Sequence, residues 1–361
     1  MKAWRESASL ILAARHGEKY NHTVSPAIHN YNLLFLKRHQ KSHAFPSSYV
    51  FPGGTVHPAD SDMKWHDFFA AFGFDNGFAS LIPKNAERPS IFRSKENELP
   101  KEISLRITAI RETFEECGIL MCKHKKDSHI SSNWAQYMPI SKDELQTWQN
   151  KVHNNATEFF TLCEKLECYP DLWALYEWNN WLSPTMYEPK QRFDTVFYLA
   201  CMPSIPYTEY ETSEIEDLKW VTPENFFSSL ASIKLPPPQC YEIATLNKIK
   251  NVDTVLDLAM KRNKKGVQKY FPVCTRVKDG LIFILPGDTM YPKEVSLLEK
   301  QVIDKSDITS DEFQKMAPIK NRLEFTDLFK IKSIFFINEH NRNNHTVLLA
   351  SDGKPEIKNK F

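Results

Sequence analysis

The stretch Arg111-Glu112-Thr113-Phe114-Glu115-Glu116-Cys117-Gly118-Ile119 places three carboxylates within five positions. On an α-helix, Glu112, Glu115 and Glu116 stand at i, i+3 and i+4 and therefore share one face. Like charges at these spacings repel one another, and a divalent cation bound by their oxygens relieves that repulsion. Mg²⁺ suits such ligands because it prefers carboxylate oxygens and often bridges to the phosphates of a substrate. The alternative is a solvated acidic face with an Arg–Glu pair.

The helix that carries this stretch is predicted over residues 101–117. Its apolar residues recur every three or four positions and form one face: Ile103, Ile107, Ile110, Phe114 and Cys117. Gly118 follows at the position of a C-cap glycine. Arg111 lies four residues before Glu115, so its guanidinium can hold that carboxylate. We expect the apolar face to dock on the core and the acidic face to line a cleft.

Strands predicted from apolar runs precede and follow this helix along the chain. The predicted strands cover residues 7–14, 31–38, 49–57, 192–202 and 214–221. Residues 58–100 show no regular period, whereas residues 122–180 are predicted to be largely helical. Helices are predicted near 241–262, followed by a hairpin that turns at Asp279-Gly280 and a last apolar run at 332–337. Arg192 and Asp194 are predicted to form an ion pair that holds an inserted segment in place.

The carboxylate stretch resembles the Nudix box, whose consensus is G-x5-E-x7-R-E-U-x-E-E-x-G-U, with U an apolar residue. The matching positions are Arg111, Glu112, Phe114, Glu115, Glu116, Gly118 and Ile119. Two features depart from the consensus. Between Gly54 and Arg111 lie 56 residues instead of the usual 13, an insertion of 43 residues. The first glutamate of the box falls on Ile103, and Glu102 stands one position away on a different face.

The resemblance implies a Nudix fold, an α/β/α sandwich with a mixed sheet, helical insertions and a C-terminal extension. We assign residues 1–240 to the Nudix domain, with insertions near 58–100 and 122–180. Residues 241–361 are then a helical and β-hairpin extension packed on the core.

The resemblance also implies roles for the charged residues of the box. Glu115 and Glu116 are the expected principal ligands of Mg²⁺ or Mn²⁺, and Glu112 is a ligand or a partner of the catalytic base. Arg111 orients Glu115. A further candidate ligand is Glu214, six residues before Trp220 on a predicted strand, and its alternative is a surface glutamate.

An adjacent glycine pair, Gly53-Gly54, precedes the insertion in a chain that has only 10 glycines in 361 residues. Such a pair allows close approach of the backbone and a positive φ. The resemblance implies that both glycines let the backbone approach metal and phosphate, with the Gly54 carbonyl as a ligand.

A second motif upstream resembles the signature of Nudix hydrolases that cleave coenzyme A, L-L-T-x-R-[SA]-x3-R-x3-G-x3-F-P-G-G. The matching positions are Leu34, Arg38, Phe51, Pro52, Gly53 and Gly54. His39, His43 and Ser47 replace the small residue, the second arginine and the first glycine. The resemblance implies that Arg38 meets the 3′-phosphate or the diphosphate of the ligand. Its alternative is a surface arginine at a strand end.

Blocks further along the chain resemble peroxisomal or mitochondrial coenzyme A diphosphatases of the Nudix family, over about residues 7–290. They lie at 168–175, 181–184, 192–195, 235–239 and 285–288. The implied reaction is hydrolysis of coenzyme A and acyl-CoAs to 3′,5′-ADP and (acyl-)4′-phosphopantetheine. Two alternatives stay open: a Nudix pyrophosphatase for ADP-ribose, NADH or a dinucleotide, and a non-catalytic nucleotide-binding module.

Composition limits the partners. Lys+Arg is 46 and Asp+Glu is 45, so a net charge of +1 argues against a broad basic surface for nucleic acid. No apolar run approaches the roughly 18–20 residues of a membrane span. The last residues, Lys358-Asn359-Lys360-Phe361, are not an S-K-L-type address, so the expected peroxisomal or mitochondrial location depends on the resemblance. The sequence does not indicate an oligomeric state.

The seven cysteines are predicted to be reduced thiols, several of them buried. No C-x-x-C pair occurs among them. Cys163 and Cys168 are separated by four residues, without a second pair of His or Cys nearby at a zinc spacing.

Overall fold

The structure is a computed structural model that describes residues 4–16, 28–74, 77–84, 86–127, 132–229, 233–327, 330–337, 344–349 and 355–359. Its centre is a mixed sheet in which β1 (Arg5–Arg15) pairs in parallel with β8 (Phe193–Met202). On its other side, β1 pairs antiparallel with β4 (Gly53–Thr55) and then with β2 (Tyr31–Arg38). This arrangement sets the glycine pair beside the first half of β1.

Four further strands complete the central sheet: β3 (Tyr49–Val50), β7 (Tyr176–Leu182), β9 (Ile215–Val221) and β10 (Lys269–Tyr270). Among the described residues the order is β10-β7-β8-β1-β2-β3, with β4 paired to β1 and β9 paired to β2. The strands predicted at 7–14, 31–38, 192–202 and 214–221 are confirmed. The strand predicted at 49–57 is divided, because Phe51 and Pro52 separate β3 from β4.

Both faces of the central sheet are covered, which confirms the predicted α/β/α sandwich. Side chains alternate along β1, so Leu10 and Leu12 face one cluster while Ile11 and Ala13 face the other. On the first face lies α2 (Lys101–Cys117), the helix predicted at 101–117. On the second face lie α6 (Pro237–Asn247) and α7 (Val252–Asn263).

The two insertions pack against α2 on the first face. The first contains α1 (Lys64–Ala71) and several short 3-10 turns. The second contains α3 (Lys142–Asn154), α4 (Glu158–Lys165) and the paired strands β5 (Cys122–His124) and β6 (Cys168–Pro170). The prediction that 122–180 is largely helical is therefore wrong in part. It missed β7 because that strand is buried on both faces and lacks the alternation that identifies a half-exposed strand.

The segment after residue 222 joins the core more closely than predicted. Following α5 (Pro223–Ser228), α6 runs across the boundary drawn at 240/241, so that boundary falls inside a helix. Further on, α7 packs on β7 and β10 pairs with β7, so residues beyond 240 complete the central sheet. Among the described residues, no helix is long and apolar enough to cross a membrane.

The rest of the extension is a second sheet rather than an isolated hairpin. Its strands are β11 (Val273–Val277), β12 (Gly280–Ile284), β13 (Val302–Lys305), β14 (Arg322–Asp327), β15 (Lys330–Ile337), β16 (Asn344–Leu349) and β17 (Pro355–Asn359). Their order within the described ranges is β13-β11-β12-β14-β15-β16-β17, with α8 (Ser310–Lys315) beside them. The predicted hairpin is β11–β12, and Gly280 begins the second strand.

The predicted ion pair between Arg192 and Asp194 is wrong. Arg192 donates to the carbonyls of Ser183 and Leu297, at 3.0 and 2.9 Å. Asp194 instead forms an ion pair with Lys269, whose Nζ lies 3.2 Å away. Through Leu297 and Lys269, Arg192 and Asp194 tie the start of β8 to the C-terminal extension.

Candidate active site

The acidic face of α2 lies at one end of a cleft of about 580 Å³. The helix is fixed there because its apolar face is fully buried against the sheet. Gly118 ends it in the left-handed conformation, at φ 71°, and donates its N–H to the Phe114 carbonyl at 2.8 Å. The carbonyls of Glu116 and Cys117 accept N–H groups from Glu211 and Glu209, each at 3.1 Å. The C-terminal turn is therefore held rigidly where the carboxylates project.

The structure brings the three predicted carboxylates to this cleft. Glu116 is almost fully buried, and its Oε2 accepts the Gly53 N–H at 2.8 Å. Arg111 reaches both others: its Nη2 lies 2.7 Å from Glu112 Oε1, and its Nη1 lies 3.1 Å from Glu115 Oε2. The contact between Arg111 and Glu115 is the one that the four-residue spacing predicted.

Arg111 is itself held by a residue that the sequence analysis missed. Asp60 forms a bidentate pair with it, from Nε to Oδ1 at 2.8 Å and from Nη2 to Oδ2 at 3.0 Å. Asp60 also accepts the Thr108 hydroxyl at 2.9 Å, and both partners are buried. Such fork-to-fork geometry fixes a guanidinium in one orientation. Asp60 lies 51 residues before Arg111, in the insertion, so no local pattern links the two.

The glycine pair allows the close backbone approach that was predicted, and Gly53 has the predicted positive φ. Gly53 has a φ of 147°, and a Cβ there would lie 2.3 Å from the Ala8 carbonyl oxygen. A Cβ on Gly54 would lie 2.3 Å from Cδ of Glu112. Gly53 thus permits the pairing of β4 with β1, and Gly54 leaves the space that the Glu112 carboxylate fills. The Gly54 carbonyl as a metal ligand stays a prediction.

The electrostatics of the three carboxylates favour a bound cation. Burial raises the pKa of Glu112 to about 7, against the opposing effect of Arg111. Burial also raises the pKa of Glu115, and raises that of Glu116 well above the usual glutamate value, with the charge of Glu112 adding to the rise at Glu116. These shifts mean that crowded, desolvated oxygens hold negative charge at a cost. Hard oxygen donors in this state fit a divalent cation such as Mg²⁺ or Mn²⁺.

Two further side chains border the carboxylates. Glu214, at the start of the segment that leads into β9, is exposed and lines the cleft. Burial is the main cause of the raised pKa values of Glu115 and Glu116, and the negative charge of Glu214 adds a smaller rise to both. His153, on α3 of the second insertion, places Nδ1 3.0 Å from Glu115 Oε1. The sequence analysis did not identify His153, because 38 residues separate it from Glu115.

A cationic loop forms the next wall of the cleft. Arg38, at the end of β2, lines the cleft and its positive charge opposes the rise in the Glu116 pKa that burial causes. Its Nε is buried without a hydrogen-bond partner among the described residues. His39, Lys41 and His43 also line the cleft.

The loop has a left-handed backbone at one position where this chain departs from the coenzyme A signature. Ser47 stands where the signature has glycine, and its φ is 58°, in the left-handed region. Glycine adopts this conformation without the steric cost that a Cβ brings. The substitution at Ser47 therefore changes the residue while the backbone geometry stays that of a glycine position.

The opposite end of the cleft is apolar. Its walls come from β7, β8 and the loops next to them, and include Trp181, Leu182, Pro184, Tyr187, Phe193 and Phe197. The C-terminal part of the chain adds Pro236, Pro237, Pro238, Pro272 and Phe283. The cleft therefore combines an acidic end, a cationic loop and an apolar end built partly by the extension.

A mixed sheet between helical layers, with carboxylates at the end of α2, is the architecture of Nudix hydrolases. A solved Nudix hydrolase from Alicyclobacillus acidocaldarius matches this fold with a TM-score of 0.50, over 71% of this chain and 97% of its own, at 19% identity. The model of the NUDT19 Nudix domain matches residues 4–246, and that of the NUDT19 C-terminal domain matches residues 275–334.

Three curated relatives named acyl-coenzyme A diphosphatase NUDT19 are similar over most of their length. The Xenopus laevis protein is 31% identical and the match covers 91% of each chain. The Gallus gallus protein is 33% identical over 90% of this chain and 89% of its own, and the Homo sapiens protein is 30% identical over 82% of each. The chain belongs to the NUDT19 family of Nudix hydrolases. Nudix hydrolases use divalent metal ions, which agrees with the carboxylate site.

Proposed function

We propose that this protein hydrolyses the diphosphate of coenzyme A and acyl-CoAs to 3′,5′-ADP and (acyl-)4′-phosphopantetheine. The observation that carries the proposal is the cleft itself, whose walls combine the Nudix carboxylates, a cationic loop and an apolar end. The names of the similar NUDT19 proteins support the same substrate class. Coenzyme A has matching parts: a phosphorylated nucleotide, a central diphosphate, and a pantetheine arm that ends in a thiol or an acyl chain.

Hydrolysis requires a water oxygen to attack one phosphorus of the diphosphate while the bond to the bridging oxygen breaks. Glu112, Glu115 and Glu116 would hold a divalent cation, which would lower the pKa of that water and stabilise charge on the phosphate oxygens. Arg111 keeps Glu112 and Glu115 in place through the two contacts described above. We assign Glu112 as a further ligand or as a partner of the catalytic base, because its carboxylate lies between Arg111 and the Gly54 backbone.

Arg38 has the position expected of a group that binds substrate phosphate. It stands close enough to Glu116 to influence that carboxylate, and its Nε has no partner among the residues described. A guanidinium in this state is ready to donate to a phosphate oxygen. We therefore assign Arg38 to the diphosphate, and Lys41 with His43 to the 3′-phosphate end of the substrate.

The bound cation is proposed to be Mg²⁺ or Mn²⁺, with Glu214 as an additional ligand. Both ions accept carboxylate ligands, and Glu214 adds a fourth carboxylate at the same end of the cleft. Replacement of Glu214 by Gln should raise the metal concentration required for half-maximal activity.

A substrate panel tests the proposal. The purified protein is assayed with Mg²⁺ and with Mn²⁺ on coenzyme A, acyl-CoAs, ADP-ribose, NADH and diadenosine polyphosphates. We expect the highest kcat/KM for coenzyme A or an acyl-CoA. Faster cleavage of ADP-ribose, NADH or a dinucleotide would assign the protein to another Nudix activity, and no cleavage of any substrate would favour a nucleotide-binding module.

A peroxisomal or mitochondrial location is proposed only from the resemblance to coenzyme A diphosphatases. Imaging of the tagged full-length protein with markers for both organelles tests it. A diffuse cytosolic signal would reject the proposal.

A further inference from the structure

Three cysteine side chains from separate elements converge inside the second insertion. Cys122 lies on β5, Cys163 on α4 and Cys168 on β6. Their sulfur atoms all lie within 4.8 Å of one another. All three are buried, and none is in a disulfide. The sequence analysis saw only the pair at 163 and 168, because Cys122 stands 41 residues before Cys163.

Packing alone explains a single buried thiol, because cysteine behaves as a small hydrophobic residue. Three neighbouring thiols in addition form a set of soft donor atoms whose spacing suits a single metal ion. In a tetrahedral zinc site with Zn–S bonds of about 2.3 Å, the sulfurs stand roughly 3.8 Å apart. The upper limit of 4.8 Å exceeds this value by about 1 Å, which small side-chain rotations would correct. Among the described residues, no other group of Cys, His, Asp or Glu meets the same criterion.

His124 is the candidate for a fourth donor, and its side chain would have to rotate towards the sulfurs because it lies outside the group within 4.8 Å. The pairing of β5 with β6 sets His124 directly opposite Cys168. His124 also follows Cys122 by two positions on the same strand, so both side chains project from one face.

We propose that Cys122, Cys163 and Cys168 bind one zinc ion as thiolates and that His124 completes a tetrahedral site. Binding displaces one proton from each thiol to the solvent, and the neutral imidazole adds the fourth bond without further charge. Four protein ligands leave no position open for a substrate, so the site is structural. It is separate from the carboxylate site, whose oxygen donors suit harder cations.

The site would stabilise the insertion where it supports the acidic cleft. The ion would join the end of α4 to the β5–β6 pair, which begins soon after α2 ends. The neighbouring helix α3 supplies His153 to Glu115, and its Gln149 donates to the Phe114 and Glu115 carbonyls, each at 3.3 Å. A zinc ion would thus hold together α4, β5 and β6, the part of the insertion next to α3, which contacts α2.

Metal content of the full-length protein tests the proposal. The protein is purified without chelators, desalted, and analysed by plasma mass spectrometry. We expect about one zinc per chain in the wild type and in Glu116→Gln, which alters the carboxylate site instead. The double variant Cys163→Ser/Cys168→Ser should lose the zinc, whereas Cys240→Ser, at a buried thiol elsewhere, should keep it. A wild type without zinc, or a double variant that retains it, would overturn the proposal.

Cobalt substitution provides a readout that does not depend on how well a variant folds. Co²⁺ exchanged into the wild-type protein should show thiolate-to-metal charge-transfer absorption and the intense visible bands of a tetrahedral centre. The Cys240→Ser protein should give the same spectrum. His124→Ala should lose zinc faster to a chelator than wild type does. A cobalt spectrum without thiolate bands, or a Cys163–Cys168 disulfide in freshly prepared protein, would contradict the zinc site.

Discussion

The acidic site depends on single residues whose backbone, rather than side chain, makes the arrangement possible. Gly53 donates its N–H to Glu116, and Gly54 faces the carboxylate of Glu112 where any side chain would collide. The sequence indicated that two adjacent glycines in a glycine-poor chain had a structural reason. It did not indicate which atoms approach them, since Ala8 and Glu112 are distant in sequence.

Replacement of Gly53 by Ala should lower both stability and activity. A Cβ there meets the Ala8 carbonyl oxygen at 2.3 Å in addition to the cost of a positive φ. Gly73 is a matched control, because its φ is 88° and nothing lies within 4 Å of its Cβ position. We expect Gly73→Ala to lower the free energy of unfolding by about 1–2 kcal/mol, the cost of the left-handed conformation, and Gly53→Ala to lower it more. Equal losses in chemical denaturation would contradict the close approach.

At the scale of elements, the second insertion acts on the site through α3. His153 contacts Glu115, and Gln149 binds carbonyls at the end of α2. The insertion that interrupts the Nudix core therefore provides contacts to the residues proposed to bind metal.

His153→Ala should weaken metal activation of the enzyme. Loss of a partner that orients a metal ligand typically costs about 10–100-fold in metal affinity or activity. Titration of activity against Mg²⁺ should show a higher half-saturation concentration, and His153→Gln should restore part of the loss. His66→Ala, at an exposed position on α1, is the control. A half-saturation concentration unchanged in His153→Ala would show that the contact has no role.

A further prediction concerns His29, which lies two residues before the start of β2. Burial, together with the charge of Lys250, lowers the pKa of His29 to about 4. Below the unfolded value of 6.5, the unfolded chain binds a proton that the folded protein excludes, so stability falls as the pH drops from about 6.5 towards 4. The loss should be on the order of 2 kcal/mol. His29→Gln should lose less stability than wild type over this range in urea denaturation, and identical pH profiles would contradict the assignment.

An element or contact could be predicted when the residues that form it lie close together in the sequence. The helix at 101–117 shows its apolar period and its cap within its own residues, so its boundaries and acidic face were predicted correctly. Asp60, His153 and Cys122 acquire their roles through contacts across 38 residues or more, and no local pattern marks them. Arg192 and Asp194 failed for the same reason, because their partners lie in the C-terminal extension.

At the scale of the whole molecule, the extension contributes to both fold and cleft. Residues beyond 240 add β10 to the central sheet, and the second sheet presents Phe283 to the apolar end of the cleft. The sequence indicated a single Nudix core enlarged by insertions. Of the second sheet, it predicted only the hairpin now seen as β11–β12 and an apolar run at 332–337.

Phe283→Ala should change the preference for acyl chains. If the apolar end holds the pantetheine arm and its acyl chain, loss of this ring removes contacts that a long acyl chain uses and free coenzyme A does not. We expect the ratio of kcat/KM for a long-chain acyl-CoA to that for coenzyme A to fall about tenfold, the effect of roughly 1.4 kcal/mol of lost apolar contact. Coenzyme A in the same variant is the internal control, and an unchanged ratio would place the acyl chain elsewhere.

One comparison of kcat/KM on coenzyme A with Mg²⁺ tests whether the α2 carboxylates hydrolyse its diphosphate. Glu116→Gln should lower kcat/KM by well over about tenfold, because it removes a charged ligand. Glu102→Gln is the matched control, since Glu102 lies on the same helix, pairs with Arg88 at 3.2 Å and does not line the cleft. We predict that Glu102→Gln stays close to wild type. Wild-type activity in Glu116→Gln, or an equal loss in both variants, would contradict hydrolysis by the α2 carboxylates.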